Sequence, residues 1–145
     1  MDVVALGSSV MDLLVNIDHQ VRDNGLVATN NTSWQYGGKV STGVVATKML
    51  CPDAQIAILG NSGGMYGKLI RQDFVRRGID ISHMNFYQDK ESPFCVALSI
   101  LDSNVRNFYL KMPTYEPLKP EELDQDLIKN CKYFYIEDST KTTLQ

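Results

Sequence analysis

Two hydrophobic periods alternate along this chain, and that alternation most constrains its fold. Val3 to Leu6 is a short apolar run closed by Gly7-Ser8-Ser9, which reads as a buried strand and a turn. Gln55 to Leu59 is another, ending in Gly60, and Lys132 to Ile136 is a third, ending at Glu137-Asp138. Between them the spacing turns helical. Lys39 to Leu50 carries Val40, Val44, Val45, Met49 and Leu50 with few charges and is stopped by Pro52. Tyr66 to Arg77 sets Tyr66, Ile70 and Phe74 four residues apart and stops at Gly78. Pro120-Glu121-Glu122-Leu123 has the proline and early acids of a helix start. Strands alternating with helices imply a parallel, doubly wound sheet.

Other segments have a period of two. Phe94, Val96, Leu98 and Ile100 alternate with Cys95, Ala97 and Ser99, Asp102-Ser103-Asn104 makes a turn, and Val105 to Lys111 returns. Leu13 to Ile17 alternates similarly, and Val27 to Tyr36 is polar and β-prone, ending at Gly37-Gly38. These four strands are expected to pair among themselves in a small antiparallel sheet projecting from the core. The face built from Phe94, Val96, Leu98 and Ile100 is too apolar to leave in water, so it is expected to cover a ligand or meet a second subunit. Ser139 to Gln145 reads as the start of another helix. A parallel sheet ending there keeps an open apolar edge, which natural proteins avoid.

Composition excludes several classes. The 145 residues suffice for one domain. A net charge of −3 shows no basic excess for nucleic acid or an anionic membrane. No apolar run approaches the ~20 residues that span a bilayer. Cys51, Cys95 and Cys131 form no Cys-x-x-Cys pair, and a scattered, odd set favours a reducing, cytoplasmic setting.

In open α/β sheets, ligands gather beyond the carboxyl ends of the strands. The residues expected there are Gly7-Ser8 and Asp12, then Gly37-Gly38-Lys39, Gly60-Asn61-Ser62-Gly63-Gly64 and Glu137-Asp138. Carboxylates accept hydroxyl hydrogen bonds and glycines let backbone approach closely, a set that suits a polyhydroxylated ligand. Asp12 serves equally as a turn cap, and Gly37-Gly38 as a plain strand-to-helix turn. The Gly60 block lacks the Gly-Lys-Ser/Thr ending of a phosphate loop and the spacing of a dinucleotide fingerprint. His19 and His83 have no partners at metal-ligand spacing.

Val4-Ala5-Leu6-Gly7-Ser8-Ser9-Val10-Met11-Asp12 resembles the opening strand and substrate aspartate of ribokinase-like (PfkB-type) carbohydrate kinases. Gln35-Tyr36-Gly37-Gly38-Lys39-Val40-Ser41-Thr42 is similar to that family's first signature, a Gly-Gly turn opening a helix. Ile58 to Gly67, followed by Gly78-Ile79-Asp80, resembles the next block. Ser92 to Lys111 resembles the hairpin that completes the lid. Tyr135-Ile136-Glu137-Asp138 resembles the strand end where some members place a sugar-binding glutamate. There are departures. Thr42 stands where the signature usually has Asn, and Val10 where ribokinases proper have Asn, which removes amides that meet sugar hydroxyls. The glycine block is shifted by a residue and lacks its usual acid. No Gly-Ala-Gly-Asp turn, the family's anion hole and base, is present.

The resemblance implies a ribokinase-like three-layer α/β/α core over 1–11, 37–91 and 113–145, with lid segments 12–36 and 92–112, truncated before the C-terminal ATP-binding half. It implies a sugar kinase using ATP and Mg2+, whose site and catalytic base lie outside this chain. The substrate is then a small sugar or nucleoside-like molecule, and a homodimer through the lid sheet is expected. Substrate contacts are expected from Asp12, Gly37, Gly38, Lys39, Thr42 and Glu137, with Arg106 engaged if the substrate carries a carboxylate or phosphate. The alternatives are a non-catalytic sugar-binding or regulatory module of the same fold, and an α/β domain used for assembly through its lid.

Overall fold

The structure is a computed structural model that describes residues 1–137. Asp138 and the helix start expected over 139–145 lie outside the described residues. The chain runs β1 (Val3–Leu6), β2 (Val10–Ile17), β3 (Thr29–Gly37), α1 (Lys39–Leu50), β4 (Ile56–Gly63), α2 (Gly64–Arg76) and β5 (Met84–Tyr87). It continues through β6 (Phe94–Ile100), β7 (Val105–Lys111), a 3₁₀ turn (Pro120–Glu122), α3 (Gln125–Lys129) and β8 (Tyr133–Ile136).

The first sheet has the order β5-β4-β1-β8, and every pair is parallel. On one face α1 and α2 press Val40, Val44, Ile70 and Phe74 onto Ala5, Ile56 and Ile58. On the other, Val4, Leu6 and Leu59 are covered by Leu118, Leu123, Leu127 and Ile128. The strands are apolar on both sides because both faces are packed. This is the three-layer arrangement expected. No helix among the described residues is long and apolar enough to cross a membrane.

The second sheet has the order β3-β2-β6-β7. The hairpin and the two earlier segments do join in a sheet of their own. The expectation of a purely antiparallel lid needs correction: β3–β2 and β6–β7 are antiparallel, but the central pair β2–β6 is parallel. Both central strands leave the core in the same direction, β2 after β1 and β6 after the Ser92-Pro93 crossing, so they lie side by side pointing outward. β2 starts at Val10, two residues before the expected lid segment.

Three local expectations also change. β5 was not anticipated, since Met84-Asn85-Phe86-Tyr87 has no clear alternation. β4 runs on through Gly63 rather than ending at Gly60, because Gly60–Gly63 pair with β5. The helix expected from Pro120 forms only a 3₁₀ turn. Leu123 is extended, and α3 starts afresh where the Asp124 side chain accepts a hydrogen bond from Leu127 N–H.

The Phe94 face lies on the side of the second sheet away from the cleft and packs partly against α2. Phe94 stacks on Tyr66 of α2 at 5.1 Å between ring centroids and lies 5.8 Å from Trp34. Ile100 is buried, and Val96 and Leu98 are half-buried. The face that looks into the ligand cleft is the other one, carrying Cys95 and Ala97.

Candidate functional site

The two sheets meet around a cleft of about 730 Å³ at the carboxyl ends of β1 and β8. Its floor comes from the core: Gly7 and Ser8 after β1, Gly38 and Lys39 opening α1, Asn61 in β4 and Glu137 after β8. Its side comes from the second sheet, where Val10, Asp12, Cys95, Phe108 and Leu110 share one face.

Asp12 is half-buried in β2, and burial raises its carboxyl pKa above the ordinary aspartate value. Its carboxylate lies over Gly37, where a Cβ would be 1.8 Å from Oδ2. In register Asp12 pairs with Gln35 on one side and Cys95 on the other. The Cys95 thiol is pushed up by burial and by the Asp12 charge.

Gly38 caps α1 with φ of 89°, a left-handed conformation that disfavours a side chain, and a Cβ there would lie 2.6 Å from Ser8 O. This tight contact lets α1 start against the turn after β1. Lys39 follows, exposed, with Nζ 4.0 Å from Glu137 Oε1.

Glu137 is 4% exposed. Its backbone N–H donates to Leu6 O, extending the β1–β8 ladder into the cleft. Ser8 Oγ donates to Oε2 over 3.3 Å. Gly7 makes room, since a Cβ there would lie 2.9 Å from Glu137 Cβ. Among the described residues, one long hydrogen bond and one distant ammonium are the only partners of this buried carboxylate, which leaves acceptor positions unfilled by them. A buried charge is costly unless paired or hydrogen-bonded, so Glu137 is poised to accept hydroxyl donors.

Asp12, Gly38, Lys39 and Glu137 therefore converge, and Gly37 lies beneath Asp12. The cleft does not include Thr42, which is exposed in the first turn of α1 with its N–H bonded to Gly38 O. Nor does it include Arg106, exposed opposite Ser99 and two positions beyond Phe108 toward the hairpin turn. Asn61, on the rim, has a structural role. Its Nδ2 donates to Glu116 O and its Oδ1 accepts from Asn85, which ties the Tyr115–Leu118 segment to the end of the core sheet. The apolar wall of Phe108, Leu110 and Met112 was missed, since only the strand register puts it on the Asp12 face.

Residues 1–145 match the pfkB family of carbohydrate kinases. The chain belongs to that family. Its fold resembles the ribokinase from Giardia lamblia with a TM-score of 0.82 at 15% identity, covering 93% of this chain and 44% of that one. It resembles the Arabidopsis thaliana ribokinase complexed with ribose and ATP with a TM-score of 0.75 at 15% identity, covering 93% and 44%. A Methanocaldococcus jannaschii nucleoside kinase matches with a TM-score of 0.68 at 16% identity, covering 82% and 42%. The chain thus spans less than half the length of these structures.

The phosphates of a nucleotide need a cradle of backbone N–H groups. Gly60–Gly63 are hydrogen-bonded strand rather than a phosphate loop. A Cβ on Gly63 would lie 2.5 Å from Lys90 O, so the approach to this glycine is filled by backbone. Gly60–Gly63 therefore form no phosphate cradle. Among the described residues, no cluster of three His, Cys, Asp or Glu could hold a metal ion.

Proposed function

We propose that this chain forms the sugar-binding part of an ATP-dependent carbohydrate kinase that transfers the γ-phosphate of ATP to a sugar hydroxyl. Its share of the work is to bind and orient the acceptor; the base and the nucleotide site belong to parts of the kinase fold that it does not contain. The observation that carries this reading is the pair Asp12 and Glu137. Two carboxylates, one in the second sheet and one at the end of β8, face one cleft, each with acceptor positions that the described residues leave open. Holding the acceptor by both ends fixes the direction of the attacking hydroxyl, and such positioning accounts for much of phosphoryl-transfer catalysis. Three free cysteines fit a reducing cytoplasm. Exposed Trp34 and Tyr109, on the lid face away from the cleft, support a homodimer through that sheet.

The test is calorimetric titration of the chain with pentoses and hexoses, before and after Asp12→Asn. Saturable sugar binding that weakens in the variant supports the reading. Binding that the variant leaves unchanged refutes it.

A further inference from the structure

Residues 112–118 leave the second sheet at the end of β7 and cross to the lower layer of the core, where Leu118 packs against Val4, Leu6 and Leu59. This strap forms no helix or strand, and Pro113 and Pro117 have no N–H to donate. It nevertheless walls the cleft with Pro113, Tyr115, Glu116, Pro117 and Leu118. A segment without a hydrogen-bonded ladder of its own keeps its place through the contacts it makes with neighbours.

The contacts at its start are made with the core. Thr114 N–H donates to Glu91 O over 3.1 Å, Thr114 Oγ1 accepts from Glu91 N–H over 2.8 Å, and the Tyr115 ring stacks on Tyr87 of β5 at 5.9 Å. Farther along, beside the cleft, the anchor is a side chain: Asn61 Nδ2 donates to Glu116 O over 2.8 Å. Asn61 is itself oriented. It pairs in register with Asn85, whose Nδ2 donates to Asn61 Oδ1 over 3.0 Å. That bond engages the acceptor end of the Asn61 amide and turns its donor end toward the strap. Asn61 lines the cleft, whereas the cleft-lining residues do not include Asn85.

The strap bounds the cleft on the side away from Glu137. β8, which leads into Glu137, pairs with β1 on one side, and β4, which carries Asn61, pairs with it on the other. Two strand spacings are roughly 10 Å, room along the floor for one sugar ring. The whole cleft, at about 730 Å³, falls in the range of pockets that take larger ligands. The position of this wall, rather than total volume, therefore decides whether a second ring enters.

We infer that Asn61 is a positioning residue that sets the size limit of the acceptor: it fixes the strap through Glu116 O and so closes the β4 side of the cleft to a second sugar ring. This rests on the proposed sugar site and adds a determinant of specificity to it.

The probes are D-ribose, D-fructose and the disaccharide maltose, titrated calorimetrically into the chain and into Asn61→Ala, Asn61→Asp, Asn85→Ala and Asp12→Asn, with a thermal melt of each. The unaltered chain should bind at least one monosaccharide about tenfold more tightly than maltose. Asn61→Ala and Asn61→Asp should each shrink that ratio about fivefold, the size of one neutral hydrogen bond. Asn61→Asp keeps an acceptor for Asn85 and loses the donor to Glu116, so an effect equal to that of Asn61→Ala assigns the selectivity to the strap contact. Asn85→Ala should shift the ratio in the same direction from outside the cleft. Asn85 is exposed, so its variant keeps the test open should those at Asn61 fail to fold. A merely structural role would weaken all three sugars alike. An unchanged ratio in the folded variants, with Asp12→Asn still weakening the monosaccharide, would overturn the inference and leave the sugar site standing, as would maltose binding the unaltered chain as tightly as the monosaccharides. Failure of both monosaccharides to bind the unaltered chain would overturn the sugar site itself, and the inference with it.

Discussion

The Asp12 carboxylate occupies the space that a side chain on Gly37 would fill: a Cβ at Gly37 would lie 1.8 Å from Asp12 Oδ2 and 2.7 Å from Cγ. The glycine before the helix turn is therefore a positioning residue for the aspartate, one strand over. Gly37→Ala should displace the carboxylate while leaving the backbone in place, because the atoms in the way end a flexible side chain. Sugar affinity should fall by an amount similar to that in Asp12→Asn, with a melting temperature close to that of the unaltered chain. Unchanged affinity in Gly37→Ala would show that the carboxylate position does not matter.

Asp12→Asn and Glu137→Gln keep shape and remove charge. Each should cost about 1.5–3 kcal/mol of acceptor binding, the range for hydrogen bonds to charged groups. The two sites share one ligand, so the double variant should deviate from additivity. Calorimetric titration of the three variants provides the measurement.

The chain by itself should release no ADP above background when incubated with ATP, Mg2+ and sugars or nucleosides. Gly60–Gly63 are committed to pairing with β5, which leaves no phosphate cradle among the described residues. A coupled assay on purified protein checks this, and turnover abolished by Asp12→Asn would refute it.

Asp73 should set part of the acid sensitivity of the fold. It is 1% exposed on α2, paired with Arg77 Nε at 2.7 Å and with Arg76. Burial raises its pKa, but the hydrogen bonds from Arg77 and Arg76 outweigh that, and the carboxyl ends below its ordinary value of 3.8. A folded-state pKa below the unfolded one gives stability that is present above the unfolded value and lost as pH falls through the folded one. Asp73→Asn should therefore lower the melting temperature at pH 7, and the gap to the unaltered chain should narrow as pH drops below 3.8. A gap that stays constant with pH would mean that the charge contributes nothing.

Much of the architecture was determined by the sequence alone. The hairpin Phe94–Ile100 and Val105–Lys111 and the helix Lys39–Leu50 have the residue limits that their spacing predicts, because hydrophobic period and turn residues act within a few positions of each other. Asp12, Gly38, Lys39 and Glu137 could be placed on one rim because strand ends in a parallel sheet share an edge. The tertiary structure decided the rest. β5 and the second half of β4 exist because each hydrogen-bonds the other, and neither has a local signal. The parallel pairing of β2 with β6 depends on where two distant crossings leave the core. That pairing sets which side of the second sheet faces the cleft, and so puts Phe108 and Leu110 beside Asp12 and Phe94 against Tyr66. In a strand a shift of one residue exchanges the two faces, and only the register between strands far apart in sequence determines which one meets the ligand.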